Sequence, residues 1–149
     1  MNIALVASAG GHFLELHALR ACWQNHDRFW VTFPGPDTDQ LLQGERVYHA
    51  YHPTNRHIPN LYRNFRLAGR LLTKERPTLI ITTGAGIAVP FIYRAKLAGI
   101  PTIFIESLTF SEVLSLSGWL VYRVADDFLV QWPGLAKQHK RARYYGQVL

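Results

Sequence analysis

Cysteine is almost missing: Cys22 stands alone in 149 residues. No intramolecular disulfide can form and no thiolate cluster exists for a metal. Inside a helical pattern, Cys22 is expected to behave as a buried small hydrophobe. Long apolar runs are missing as well. The longest are interrupted by Gly, Pro, Arg or Glu, short of the roughly 20 residues that span a bilayer. The N-terminus, Met1-Asn2-Ile3-Ala4-Leu5-Val6, has no basic stretch ahead of a long apolar segment, so no signal peptide is expected. Acidic residues are the scarcer charge, ten against sixteen Lys and Arg, for a formal charge of +6. That balance favours anionic partners such as sugar nucleotides or an anionic membrane surface. Nucleic acid has only the net charge behind it and is not expected as a partner. There is no G-x-S-x-G elbow, no P-loop Lys-Ser/Thr and no G-x-G-x-x-G. The seven His are scattered, so neither a metal nor a cofactor is expected.

What is present is the make-up of one globular domain over 1–149, 48% apolar with four Trp, and no second domain is expected. Short β-branched runs alternate with amphipathic helices. Strands are expected at Ile3–Ala7, Phe29–Phe33, Val47–Tyr51, Leu79–Thr83, Thr102–Glu106 and Phe128–Gln131. One helix carries Phe13, Leu16, Leu19 and Trp23, and a short one over 40–42 is capped by Asp37 or Thr38. A polar loop spans 52–60. From Asn60 as cap, a long helix turns Leu61, Phe65, Ala68 and Leu72 to one face. Further helices are expected at Ile87–Leu97, closed by Gly99, and near Ser117–Val124. Strands separated by helices imply a Rossmann-like α/β fold with a parallel sheet.

Ligands in such sheets bind at the carboxyl ends of the strands. Two glycine turns fall there, Gly10-Gly11-His12 after the first strand and Gly84-Ala85-Gly86 after the fourth. Glycine permits close backbone approach to an anion at a helix N-terminus, and equally permits tight strand-to-helix packing. His12 is a candidate general base or anion ligand, with capping or packing as the alternative. Glu106 ends the fifth strand at the same edge. It is placed to orient an acceptor hydroxyl or take its proton, or else to cap the next segment through Ser107 and Thr109. Arg63, Arg66, Arg70 and Lys74 recur on one helical face with Arg56 and His57 just upstream. They read as a solvated face or as contacts to an anionic membrane or lipid phosphate, with Tyr62 and Phe65 nearby.

The strings SAGGHFLEL (8–16), TTGAGIAVPF (82–91), FIESLTFSEVLSLSGWLVYRVADDFLVQWPGL (104–135) and YYGQVL (144–149) together resemble the bacterial polysaccharide-biosynthesis accessory subunits of the PssD type. These are relatives of the membrane-anchoring subunit (asparagine-linked-glycosylation subunit fourteen) of the dolichol-pathway UDP-GlcNAc transferase. The GGH turn alone also resembles MurG-like enzymes. The resemblance implies the N-terminal, acceptor half of a GT-B glycosyltransferase, working with a separate donor-binding subunit that holds the UDP-sugar. It implies a UDP-GlcNAc, UDP-glucuronate or UDP-galactose donor, a lipid-linked acceptor, and no activity alone. By the same resemblance His12 and Glu106 are the catalytic candidates, Gly10, Gly11, Gly84, Gly86 and Ser107 contact substrate, and Gln131-Trp132 close the motif. YYGQVL is expected near the partner contact.

Two departures stand out. The family pattern has basic residues where this sequence has Phe110 and Trp119, so Phe110, Val113, Leu114 and Trp119 are expected to form an apolar membrane or partner patch. Without the N-terminal membrane helix of the eukaryotic relatives, a cytoplasmic, peripheral location on the inner face of the plasma membrane is expected. The rival readings are a scaffold that never touches substrate, and an autonomous nucleotide-binding protein.

Overall fold

A computed structural model describes residues 1–54 and 56–148; Asn55, in the 52–60 loop, and Leu149, the last residue of YYGQVL, lie outside the described residues. Seven parallel strands form one sheet in the order β3-β2-β1-β4-β5-β6-β7. They are β1 (Asn2–Ala7), β2 (Asp27–Thr32), β3 (Val47–His49), β4 (Leu79–Gly84), β5 (Thr102–Ile105), β6 (Asp127–Val130) and β7 (Ala142–Tyr144). The connecting helices are α1 (Gly11–Ala18), α2 (Arg20–Trp23), α3 (Pro36–Leu41), α4 (Ile58–Glu75), α5 (Ala88–Ala98), α6 (Leu116–Val121) and α7 (Pro133–Gln138). The Rossmann-like α/β expectation holds.

The continuous apolar run of β1 is explained by burial on both faces. Ala4 and Val6 pack with Leu67, Ala68 and Leu71 of α4 and Phe91 of α5. Ile3 and Leu5 point the other way, to Phe13 and Leu16 of α1 and to Trp23 and Trp30. A third cluster joins Phe104 and Phe128, stacked at 5.1 Å, to Ile92, Val121 and Leu135.

Several local expectations are corrected. The helix over Phe13–Trp23 breaks at Leu19, because the Trp23 indole donates to the Leu16 carbonyl (3.1 Å) and the Leu19 amide donates to the same oxygen (3.2 Å). Trp23 then tucks edge-on against Trp30 at 5.2 Å, and its neighbour Cys22 is left exposed rather than buried. Neither Asp37 nor Thr38 caps α3. Gly35 is the N-cap and Pro36 opens the helix, while the Asp37 carboxylate accepts from the Gly10 amide at 3.0 Å. On α4 the cap is His57, not Asn60. Asn60 and Asn64 turn inward because the preceding loop needs partners for its backbone. Asn64 accepts from the Tyr51 amide (2.9 Å) and donates to the Tyr51 carbonyl (3.0 Å), and Asn60 donates to the Pro53 carbonyl (2.9 Å). That rotation leaves Leu61 exposed and Phe65 half-buried against Tyr93, while Ala68 and Leu72 pack inward as expected. Gly99 ends α5 as expected; α7 and β7 had no clear sequence signal. Among the described residues, no helix is long and apolar enough to cross a membrane.

Candidate functional site

Strand order reverses between β1 and β4, and the crevice at a sheet's carboxyl edge opens at such a point. Both glycine turns lie there. The His12 ring Nδ1 donates to the Thr83 carbonyl at 2.8 Å, and the Thr83 hydroxyl donates back to the His12 carbonyl at 2.5 Å. This reciprocal pair fixes the ring, and it leaves Nε2 as the unprotonated nitrogen of neutral His12. Gly84 has φ +100°, and a Cβ there would sit 3.2 Å from the His12 Nδ1, so the imidazole lies directly over a residue that must be glycine.

Beside His12 opens a cavity of about 380 Å³, to which the first turns of α1, α4, α5 and α6 all contribute. Its polar and cationic lining includes His12, Arg56 and His57; its apolar wall includes Ile58, Leu61, Phe110, Leu116 and Leu120. Among the described residues, no carboxylate lines it. The loop carrying Arg56 is held against the second glycine turn, where a Cβ on Gly86 would meet Thr54 atoms at 3.1–3.2 Å. Gly10 (φ +87°) gives its amide to Asp37, so that group is spent on a side chain, and Gly11 is exposed.

Glu106 is placed differently. It is 1% exposed and does not line the cavity. Its carboxylate accepts from the Ser107 amide (3.1 Å), the Ser115 amide (2.9 Å) and the Ser115 hydroxyl (2.9 Å). The same Ser115 hydroxyl oxygen accepts from the Gly118 amide at 2.9 Å and so caps α6. A Cβ on Gly118 would fall 2.1 Å from the Glu106 Oε2. Burial pushes the Glu106 carboxyl above its ordinary value, against the lowering by the Ser115 and Ser107 hydrogen bonds and by the nearby His12. Ser107 is buried, its hydroxyl paired with Thr109 at 3.1 Å, and it too is absent from the cavity wall.

A second buried carboxylate was not singled out from the sequence. Glu15 accepts from the Leu108 amide and from the Gln131 side-chain amide, both at 2.8 Å. Gln131 also donates to the Glu106 carbonyl (3.0 Å) and accepts from the Val148 amide (2.9 Å). The Trp132 indole donates to the Leu108 carbonyl at 2.6 Å. The available signal was that Glu15 shares a helical face with Leu19, four residues on.

Arg63, Arg66 and Arg70 are exposed along α4 and none lines the cavity. Ile58, Tyr62 and Arg66 follow at four-residue spacing, so one face of α4 grades from apolar to basic. Of the expected apolar patch, Trp119 (68% exposed) and Val113 (65%) are on the surface, Phe110 faces the cavity, and Leu114 packs inward against the third cluster. Leu116 lines both the cavity and the neighbouring groove with Val113 and Trp119.

Residues 52–148 match the family model described as oligosaccharide biosynthesis protein Alg14 like. The chain belongs to this Alg14-like family. Named relatives agree with it. The UDP-N-acetylglucosamine transferase subunit ALG14 of Candida albicans is 39% identical over 95 residues, covering 60% of this chain and 43% of that protein. The human subunit of the same name is 26% identical, with 100% of this chain and 83% of the relative covered. Among solved structures, MurG of Acinetobacter baumannii matches with a TM-score of 0.74 at 20% identity over 89% of this chain. The UDP-GlcNAc 2-epimerase of Methanocaldococcus jannaschii, in complex with UDP-GlcNAc and UDP, gives a TM-score of 0.78 at 11% identity over 99%. Glycosyltransferases and epimerases of the GT-B type thus share the fold of this Alg14-like chain, which spans 42% of that MurG and 47% of that epimerase.

Proposed function

We propose that the chain is the acceptor-side subunit of a two-component UDP-sugar glycosyltransferase, in which a separate subunit binds the donor. The observation that carries this reading is His12: anchored by Thr83 through Nδ1, which leaves Nε2 free to face an amphipathic cavity at the point where strand order reverses. Membership of the Alg14-like family and relatives named as transferase subunits support it. Within that family, the strings from SAGGHFLEL to YYGQVL support the reading of a bacterial polysaccharide-biosynthesis accessory subunit of the PssD type, with YYGQVL near the partner. The relatives' names favour a UDP-GlcNAc donor over UDP-glucuronate or UDP-galactose.

His12 Nε2 takes the proton of the acceptor hydroxyl as that oxygen bonds to the donor's anomeric carbon and the UDP leaves on the opposite side. Glu106 acts as a positioning residue. Its charge favours the imidazolium that forms, and its hydrogen bonds set the cavity wall at Ser115 and Leu116. Turnover should require the pair: the chain alone is inactive with a UDP-sugar and lipid-linked acceptor, and co-expression with a donor-binding subunit gives transfer. Full turnover by the chain alone overturns the two-component reading.

The acceptor sits at a peripheral membrane surface, reached by Ile58, Tyr62 and Trp119 with Arg63, Arg66 and Arg70 against anionic headgroups. Each such arginine contributes about 1 kcal/mol near an anionic surface. Reversing all three to Glu should weaken co-sedimentation with anionic vesicles by at least roughly 100-fold at low salt; unchanged binding would leave them as solvated residues.

A further inference from the structure

We propose that Glu15 and Gln131 are positioning residues of the transferase, locking helix α1, which His12 opens, to the loop that carries Glu106. The inference rests on the proposed function in taking His12 and Glu106 as one working pair. It concerns the frame that holds the two side chains, not a ligand.

Glu15 lies three residues beyond His12, with Phe13 and Leu16 on the buried face of α1, and is 3% exposed. Desolvating a carboxylate is costly unless donors or a cation offset it. The ion pairs among the described residues, Arg28–Glu45 and Arg46–Glu75, do not include Glu15. Its compensation is two N–H groups on one oxygen, from the Leu108 backbone and the Gln131 side chain, both at 2.8 Å. An apolar side chain of similar size would hold α1 against the sheet without the desolvation cost. It could not grip a backbone amide 93 positions away. The carboxylate supplies that grip and fixes where the loop lies relative to α1.

Gln131 completes the lock, and its orientation is dictated by the far end of the chain. The Val148 amide can only donate, so it takes the Gln131 oxygen at 2.9 Å. The Gln131 NH2 group must then face the Glu15 carboxylate and the Glu106 carbonyl (3.0 Å). The Glu106 amide in turn donates to the Leu129 carbonyl at 2.8 Å, so the Glu106 backbone is pinned on both sides of its Cα. Leu108 is pinned likewise, its amide by Glu15 and its carbonyl by the Trp132 indole. From this fixed backbone the Glu106 carboxylate reaches Ser115 and, through the Ser115 hydroxyl, the first turn of α6. Slippage of α1 against the loop would therefore shift the His12 imidazole relative to the carboxylate that steadies its charge. A small misplacement of that kind costs rate far more than binding.

The reconstituted pair, supplied with UDP-GlcNAc and a lipid-linked acceptor, tests the lock through Glu15→Met, Glu15→Gln, Gln131→Met and the double methionine variant. Methionine keeps the length and bulk and removes the hydrogen bonds, whereas Glu15→Gln keeps an oxygen for both donors. Each single methionine variant should lose about tenfold or more in kcat, with KM for the acceptor within about twofold. Glu15→Gln should restore most of that loss. The double variant should be no slower than the worse single one, because the two residues act as a unit. Parental kcat in Glu15→Met, a loss carried by KM instead, or losses that multiply in the double variant would each overturn the lock.

Hydrogen exchange on the chain by itself reads the lock without turnover. Glu15→Met should speed exchange by about tenfold or more at Ser115 and Gly118, whose amides Glu15 does not touch but which hang from Glu106 and the Ser115 hydroxyl. Should Glu15→Met fail to fold, Gln131→Met carries the same expectations in both measurements. Acceleration confined to Leu108 overturns the lock and spares the transferase reading. Acceleration that reaches Ser115, with no transfer by the parental pair, sinks the transferase reading and spares the lock.

Discussion

Replacing His12 with alanine is expected to cut kcat of the reconstituted transferase by roughly 10²–10⁴-fold, the usual span for loss of a general base. Assembly with the donor subunit should be unaffected. The ring is tied to the protein through the Thr83 carbonyl, and the return bond from the Thr83 hydroxyl reaches the His12 backbone oxygen. Alanine keeps that second bond, and the variant should melt within about 1 kcal/mol of the parent, as for loss of one part-buried hydrogen bond. KM for acceptor should move little, because the proton is taken only as the bond forms. Single-turnover rates on the purified pair read this directly. Undiminished kcat in a correctly assembled pair would remove His12 from the chemistry and leave the scaffold reading in possession.

Gly118→Ala should be the most damaging small substitution in the chain. The new methyl would lie 2.1 Å from the Glu106 Oε2, an atom buried and held by Ser115. Either the carboxylate or the first turn of α6 must move, and both moves strip hydrogen bonds from a buried charge. The cost is about 2–4 kcal/mol, a fall of roughly 6–12 °C in melting temperature. Gly134→Ala is the matched control: its Cβ would meet no atom within 4 Å, and it should stay within about 0.5 kcal/mol. Glu106→Gln tests the same network through pH. Burial holds the native carboxyl above its ordinary value, so the folded state binds more protons than the unfolded chain between those two values. Stability from this group is full at or below the ordinary glutamate range and declines as pH rises through the folded value. Glu106→Gln removes that slope, so its deficit against the parent should widen on acidification. A deficit independent of pH would mean that Glu106 titrates as it does in the unfolded chain.

The parallel sheet was legible because both-sided burial leaves runs such as Ile3–Ala7 and Leu79–Thr83 without polar interruption. The position of His12 at the sheet's carboxyl edge was legible because it opens a helix after the glycine turn that follows the first strand. The face of α4 was not, since its orientation is decided by Asn60 and Asn64 satisfying the backbone of a distant loop, a requirement no periodicity records. Glu106 was visible as a residue at the sheet edge, yet its surroundings come from Ser115 and Gly118, nine and twelve positions further on. Arg56 and His57 were read with the helix that follows them. The cavity they line is assembled from four helix starts widely separated in the chain.

Gln131 carries a consequence in genetic terms. Glutamine and glutamate codons differ by a single base, so Gln131→Glu is among the substitutions most easily sampled. At this position it would replace the donor to Glu15 and to the Glu106 carbonyl with a second carboxylate facing two acceptors. The Val148 amide could still be satisfied, so the chain's far end would not register the change. A locus one mutation from such a clash should be depleted of that variant wherever the protein is needed.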